Sequence, residues 1–336
     1  MRPLRVALLG AGLMGRFHAG TLAALGGAEL AAVVDADPET ARVVAEGVGC
    51  AAFGSDPEQV LADPDVDAVV VATPASTHHE LLLRAVAQGK AVFCEKPLAL
   101  TLEQADEAVA AVEGANVPFQ IGFQRRYDPG VRRLAALVES GELGELETFR
   151  SVTADPVGPT FEALRSAAGI FHDTLSHDMD MALYFFGPIR ELHAWGDAVL
   201  DPRLLDAGKP DTTVIALRFE SGRLGVIENR LRTGYGYETL LEVGGSVAKG
   251  VVRQEPADAL AVYRPEGVVR KHVHWFLERF GEAYRAELHS FVDTVTNGGE
   301  PEPGVRQGLE VQVACLAAEL SYRENRPVRV EEVRAA

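Results

Sequence analysis

The spacing of apolar residues changes character about a third of the way along the chain. Up to residue 122, short unbroken apolar runs alternate with segments whose apolar positions recur at helical spacing. The runs are "LRVALLG" (4–10), "ELAAVVD" (29–35), "DAVVVATP" (67–74), "KAVFCEKP" (90–97) and "VPFQIGF" (117–123). A strand that is apolar on both sides is buried on both sides, as in a parallel sheet covered by helices. The segments between the runs carry helix punctuation. Asp37-Pro38 and Asp56-Pro57 each set an N-cap before a proline at the first helical position. Thr101 and Gln104 have the spacing of a capping box, and Gly89 closes the helix "THHELLLRAVAQ".

Beyond Gly122 the alternation stops. Asp128-Pro129 opens one more helix, ending near Gly141, and "LETFRSVTAD" (146–155) reads as a strand with mixed faces. From Asp211 to Val252 strands follow one another through tight turns; "TTVIALRFESGRLGVIENRL" is a hairpin turning at Ser221-Gly222. Two amphipathic helices, near 282–297 and 305–323, close the chain. The pattern predicts a doubly wound, parallel α/β domain over residues 1–122. An α+β domain with a large, mostly antiparallel open sheet follows over 123–336.

The first strand runs into "LLGAGLMGRFHAG", which contains Gly10-x-Gly12-x-x-Gly15. Between a strand and a helix this is the dinucleotide fingerprint. Gly10 permits the tight turn, Gly12 lets the backbone approach a pyrophosphate, and Gly15 lets helix and strand pack closely. The first helical turn, with Leu13 and Met14, offers unpaired N–H groups to phosphate. Asp35 closes the second run about 20 residues later, the position from which a carboxylate accepts hydrogen bonds from an adenosine ribose and repels a 2′-phosphate. Ala36 and Asp37 follow, with no arginine, so the expected cofactor is NAD rather than NADP.

Two further stretches carry chemistry. Glu95-Lys96-Pro97 stands at the C-terminal end of a predicted parallel strand, where ligands bind in open α/β sheets. A lysine there can hold a substrate oxygen and stabilise charge developing on it. "FHDTLSHDMD" (171–180) packs two histidines and three aspartates into ten residues. On a helix, Asp173, His177 and Asp180 share a face, whereas His172 lies roughly 140° from His177. A helical zinc pair needs histidines four apart, a spacing that is missing here, which disfavours a metal. A solvated cluster and an acid–base apparatus remain. In the second case His177, with an ordinary pKa near 6.5, takes a proton from a hydroxyl, and Asp173 orients its ring. His172 and Asp178 point elsewhere and read as structural.

Taken in order, "GAGLMGRFH" (10–18), "ATPASTHHE" (72–80), "FCEKPLAL" (93–100), "GFQRRYDPG" (122–130), "FHDTLSHDMD" and "YGYETLLEVGG" (235–245) resemble the Gfo/Idh/MocA oxidoreductases, and within them the bacterial inositol 2-dehydrogenases. The resemblance spans nearly the whole chain. It implies a Rossmann domain, a second domain whose open sheet makes oligomer contacts, and a Lys–Asp–His site of Lys96, Asp173 and His177. It further implies that Thr73, Pro74, Glu95 and Lys96 meet the cofactor, with His78 beside them. Substrate contacts would come from Arg125, Asp155, Asp180, Tyr235 and Tyr237. The implied reaction is NAD-dependent oxidation of a cyclic polyol or sugar hydroxyl to a ketone. NAD-dependent glycosidases and dinucleotide-binding regulators of the same family are the alternatives; the presence of both Lys96 and His177 weighs against a regulator. One departure stands out. Inositol dehydrogenases often carry His-x-Asn on the strand entering the pocket, where this chain has Thr153-Ala154-Asp155.

Charge and cysteine content narrow the partners. The 336 residues carry a net charge of −17, which argues against binding to nucleic acid or anionic membranes and for a small-molecule ligand. Cys50, Cys94 and Cys315 are scattered, so neither a disulfide framework nor a zinc cage is expected, and a reducing cytoplasm fits. No apolar run is long enough to cross a membrane, and no cleavable leader pattern is visible at Met1. A homodimer or homotetramer built through the open sheet is the expected assembly.

Overall fold

The computed structural model describes residues 2–156, 161, 169–199, 201–253 and 256–335. The five apolar runs of the first third become β1 (Leu4–Leu9), β2 (Ala28–Val34), β4 (Ala68–Val71), β5 (Ala91–Glu95) and β6 (Phe119–Gly122), and a two-residue strand outside those runs, β3 (Phe53–Gly54), joins them. All pair in parallel, in the order β3-β2-β1-β4-β5-β6. Every residue of β4 and β5 is buried, as the unbroken runs require. The order reverses between β1 and β4, which places a switch point where their C-terminal ends diverge.

Helices α1 (Leu13–Ala24), α2 (Pro38–Val48), α3 (Glu58–Leu61), α4 (His78–Ala87) and α5 (Leu102–Ala115) connect these strands. Their starts follow the sequence signals. Asp37 accepts from the Glu39 amide, Asp56 from the Glu58 amide, and Thr101 from the Gln104 amide. Gln104 returns its bond to Leu100, one residue before the cap. Gly89 ends its helix at φ +69°.

Chain contacts divide the molecule into two units. The first holds Met1–Gln124 together with Tyr284–Glu310, and the second holds Arg125–Ala283 with Val311–Ala336. The returning segment is not peripheral to the first unit. Leu288, Phe291 and Val292 are buried in the same apolar cluster as Val6, Leu8 and Phe93, and the Phe291 ring meets Phe93 edge to face at 5.8 Å.

The second unit contains α6 (Pro129–Glu139), β7 (Leu146–Pro156), α7 (Ile170–Asp173), α8 (Leu175–Phe186), β8 (Ile189–Asp197), β9 (Thr212–Phe219), β10 (Leu224–Thr233), β11 (Glu238–Gly245) and β12 (Lys249–Arg253). A small hairpin of β13 (Ala261–Arg264) and β14 (Gly267–Arg270) follows. Helices α9 (Phe276–Thr296) and α10 (Val305–Glu324) each run across the unit boundary, and β15 (Val328–Arg329) and α11 (Val330–Ala335) end the chain.

The large sheet has the order β12-β11-β7-β10-β9-β8-β15. It is antiparallel except where β7 runs parallel to β10. The strands of 211–252 therefore do not stay neighbours in chain order: β7 lies between β10 and β11. The link between those two strands crosses the end of β7 through Gly236, at φ +107°. Strand β8 escaped the pattern reading. Its register slips between Ile189 and Glu191, so its buried residues lose the two-residue alternation. On β9 the alternation is complete, with Thr213, Ile215, Leu217 and Phe219 inward. The Phe219 ring stacks on Phe186 of α8 at 5.0 Å.

Replacing the fully buried Phe291 by alanine is expected to destabilise the protein by about 3–5 kcal/mol. Urea unfolding of the variant against wild type measures this; a loss under about 1 kcal/mol would contradict the burial.

Candidate active site

Within the first unit, the turns leaving β1, β4 and β5 carry the predicted chemistry. Gly10 has φ +96°, and a side-chain carbon there would lie 2.5 Å from the carbonyl oxygen of Ala72. A side chain on Gly15 would collide with the Gly10 carbonyl. Gly12 differs: nothing lies within 4 Å of the space a side chain would take. It caps α1 without a side-chain hydrogen bond, leaving the first-turn N–H groups to an outside acceptor. Leu13 is exposed and Met14 half-buried on that turn. The turn thus fits a pyrophosphate, with open space in front of a helix N-terminus. Asp35 accepts the Ala11 amide at 2.7 Å and the Asp37 amide at 3.0 Å. Its carboxylate is fixed at the edge of the glycine turn, where a ribose hydroxyl would meet it.

Lys96 is half-buried directly beyond β5, and the Lys96–Pro97 peptide is cis. Its neighbours are engaged inside the unit. Glu95 is buried and meets Nε2 of the fully buried His18 at 2.6 Å. His78, also buried, meets the Pro97 carbonyl through Nδ1 at 2.8 Å and the Thr73 carbonyl through Nε2 at 2.9 Å. Glu95 and His78 were expected to touch cofactor. Their bonds fix the backbone on either side of Lys96 and the turn after β4. On that turn Thr73 accepts the Thr77 hydroxyl at 2.7 Å, and Pro74 is exposed.

Within the second unit, "FHDTLSHDMD" forms α7, a break at Thr174 and the start of α8. Thr174 keeps helical dihedrals, φ −86° and ψ −48°, so the four-residue spacing of Asp173 and His177 survives the break. Asp173 is exposed and His177 half-buried. The Thr174 hydroxyl donates to Asp155 at 3.2 Å, which brings Asp155 to the same break. His172, read as structural, pairs with Glu319 at 3.1 Å.

The aspartates that follow are fully buried. Asp180 receives Arg126 Nε at 3.0 and 3.1 Å and Nη2 at 2.6 Å, and the guanidinium lies 4.7 Å from the Tyr184 ring. Burial pushes the Asp180 carboxyl up and Arg126 opposes the rise. Asp178 accepts Arg125 Nη1 at 2.8 Å, Thr153 Oγ1 at 3.0 Å, Asn229 Nδ2 at 2.7 Å and the Ser151 hydroxyl. Arg125 also donates to Thr153 at 2.9 Å. Burial works against the Arg125 charge; Asp178, with nearby Tyr237 and Asp155, outweighs it and raises its pKa.

These pairings engage several of the residues expected at the substrate. Arg125 and Asp180, expected at the substrate, are committed to Asp178 and Arg126. Thr153, at the position of the departure from His-x-Asn, is drawn into the Asp178 cluster. Tyr237 is buried with its ring edge on Phe280 at 6.3 Å; burial pushes its phenol up, partly offset by Arg125. Tyr235 is half exposed and donates to Glu238 at 2.7 Å. Its phenol is pushed up to about 12 by burial and then by that bond. Asp178 was read as structural and Arg126 stood beside Arg125 as an alternative at the pocket mouth; Ser151 and Asn229 were not identified from sequence. The available signal was charge balance, two adjacent arginines at 125–126 answering two aspartates at 178 and 180.

Comparison with known proteins bears on these groups. A model of the "Oxidoreductase family, NAD-binding Rossmann fold" matches residues 4–123, and one of the "GFO/IDH/MocA C-terminal domain" matches 131–250. A myo-inositol 2-dehydrogenase of Thermotoga maritima is 35% identical over 98% of this chain and 99% of its own. A scyllo-inositol 2-dehydrogenase (NAD(+)) of Bacillus subtilis is 33% identical over 99% and 98%. The crystal structure of a scyllo-inositol dehydrogenase from Lactobacillus casei, with bound NAD(H) and scyllo-inositol, superposes with a TM-score of 0.92 at 26% identity, covering 98% of this chain and all of that one. Fold and cofactor turn thus define an NAD-dependent dehydrogenase acting on CH–OH groups. The chain belongs to the Gfo/Idh/MocA oxidoreductase family.

Asp180→Ala removes the buried carboxylate that Arg126 meets at 2.6 Å. The expected cost is about 3–5 kcal/mol. Thermal unfolding of the variant measures it, and a midpoint equal to wild type would show that the pair is not needed for stability.

Proposed function

We propose that this enzyme oxidises a secondary hydroxyl of an inositol or a closely related cyclic polyol to a ketone. Two features, each seen within its own unit, support the reading. One is a lysine at the C-terminal end of β5 in a dinucleotide-binding unit. The other is an accessible Asp173–His177 helical spacing in the second unit. Inositol dehydrogenases matching over nearly the full chain support the substrate class.

His177 takes the proton of the hydroxyl at its imidazole. Asp173 orients that ring and stabilises the imidazolium that forms. Lys96 holds the substrate oxygen as negative charge grows on it. Gly10, Gly12 and Gly15, with the first-turn amides at Leu13 and Met14, seat the pyrophosphate, and Asp35 takes the ribose hydroxyls. NAD, when bound, supplies the acceptor for the hydride. The turn at Thr73 and Pro74 borders the cofactor. Asp155, at the Thr174 break, and Tyr237 serve the substrate's other hydroxyls. Because a proton is released on oxidation, low pH favours the alcohol. The free thiols Cys50, Cys94 and Cys315 fit a reducing cytoplasm.

His177→Ala should lower kcat by on the order of 10²–10⁴-fold while leaving NAD affinity intact. Lys96→Ala should behave alike. Reduced-cofactor absorbance over a panel of inositols, pyranoses, deoxy analogues and simple alcohols tests both residues and substrate class. Activity of His177→Ala within about threefold of wild type contradicts the base, given the size of such effects. Propan-2-ol turned over as well as any polyol contradicts the substrate class.

We also propose that two chains pack sheet to sheet. The strand registers place Trp195, Val214, Leu224 and Val251 on the outward face, each 40–52% exposed. Arg150, Arg218, Glu228 and Glu242 share that face, and exposed apolar side chains interspersed with charges in this way suit a symmetric partner. Light scattering should give two or four times 36.0 kDa, and a stable monomer would refute the arrangement.

A further inference from the structure

The inward face of the large sheet should be apolar, yet a polar row crosses it. Thr213, Asn229, Thr153 and Thr239 are direct register partners on β9, β10, β7 and β11, and all are buried. Buried polar groups cost free energy unless they bond to something. Two of this row, Asn229 and Thr153, donate to Asp178, as does Ser151 two residues before Thr153. Arg125 adds the compensating charge. Asp178 follows His177 directly, and Asp180, locked by Arg126, is three residues beyond His177.

We propose that Asp178 is a positioning residue for His177, fixing the rotation of α8 about its axis. The inference rests on the reading of His177 as the base. Residues 178 and 180 point about 200° apart around a helix, so two locked carboxylates hold it from nearly opposite sides. His177 projects about 100° from Asp178 and about 60° from Asp180. A side-chain tip stands some 6 Å from the helix axis, so a roll of about 10° carries it about 1 Å. A displacement of about 1 Å at a reacting group can cost on the order of 10²-fold in rate. Without Asp178 one of the two directional restraints on the roll is lost, leaving Asp180 and apolar packing to resist it.

The test uses the full-length enzyme with NAD and myo-inositol, or the best polyol of the panel, unlabelled and deuterated at the oxidised carbon. Asp178→Asn removes the charge, Asn229→Leu removes one donor, and Ser151→Ala another. NAD titration gives the number of folded binding sites, so that kcat is expressed per site. Asp178→Asn and Asn229→Leu are expected to keep the NAD dissociation constant within about twofold and to lose about 10–100-fold in kcat per site, with Ser151→Ala losing less, as outer supports of a reacting group do. The deuterium isotope effect on kcat should equal or exceed that of wild type, because the hydride step becomes slower relative to product release. If the variants lose thermal stability or folded sites but keep kcat per site within threefold, Asp178 only holds the fold and the proposal fails. It fails equally if the loss lies in KM alone or the isotope effect shrinks. Should Asp178→Asn not fold, Asn229→Leu and Ser151→Ala decide. His177→Ala run in parallel separates the two ideas. A near-normal rate there sinks the base, whereas a normal rate only in the Asp178, Asn229 and Ser151 variants sinks the positioning role.

Discussion

A carboxylate withdrawn from water must be met by donors, and much of the second unit is organised around that requirement at two positions. Asp178 and Asp180 are both fully buried at the start of α8. Each takes an arginine from the turn after β6, and Asp178 also draws hydroxyl and amide donors from β7 and β10. A lone buried charge costs several kcal/mol, so each carboxylate depends on its arginine. Helix, turn and sheet are thereby set against one another by hydrogen-bond geometry, which is more directional than apolar packing.

The first unit solves a different problem, close approach of backbone to backbone. The glycine turn and the turn after β4 come so near that a single carbon at Gly10 would strike Ala72. Asp35 ties the same turn to the end of β2, and His18 and His78 hold the residues on either side of Lys96. The groups proposed to meet cofactor and substrate thus stand on backbone that buried polar contacts have already fixed. Less ordering then remains to be done when the ligands bind.

The sequence made one half of this far more legible than the other. Unbroken apolar runs, proline-marked caps and a glycine fingerprint are local signals, and the parallel sheet with its helix starts follows from them. The hairpin at Ser221-Gly222 was equally local. The insertion of β7 between β10 and β11 was not, because it depends on which distant edges match. Strand β8 lost its alternation at a register slip. Among site residues, Lys96 and His177 stood out by motif and position. The partners of Arg125 and Asp180 did not, since pairs more than 50 residues apart leave only a charge balance in the sequence. Asp178 was read as structural because its helical direction differs from that of His177; the same difference in direction lets it hold the helix.

The discontinuity of the first unit bears on how the chain matures. Leu288, Phe291 and Val292 complete a core whose strands and early helices are made some 160 residues earlier on the ribosome. Until that last stretch emerges, the nascent dinucleotide-binding unit carries an open apolar seam beside Phe93 and has to be shielded from other chains. A fragment cut after residue 124 inherits the seam permanently.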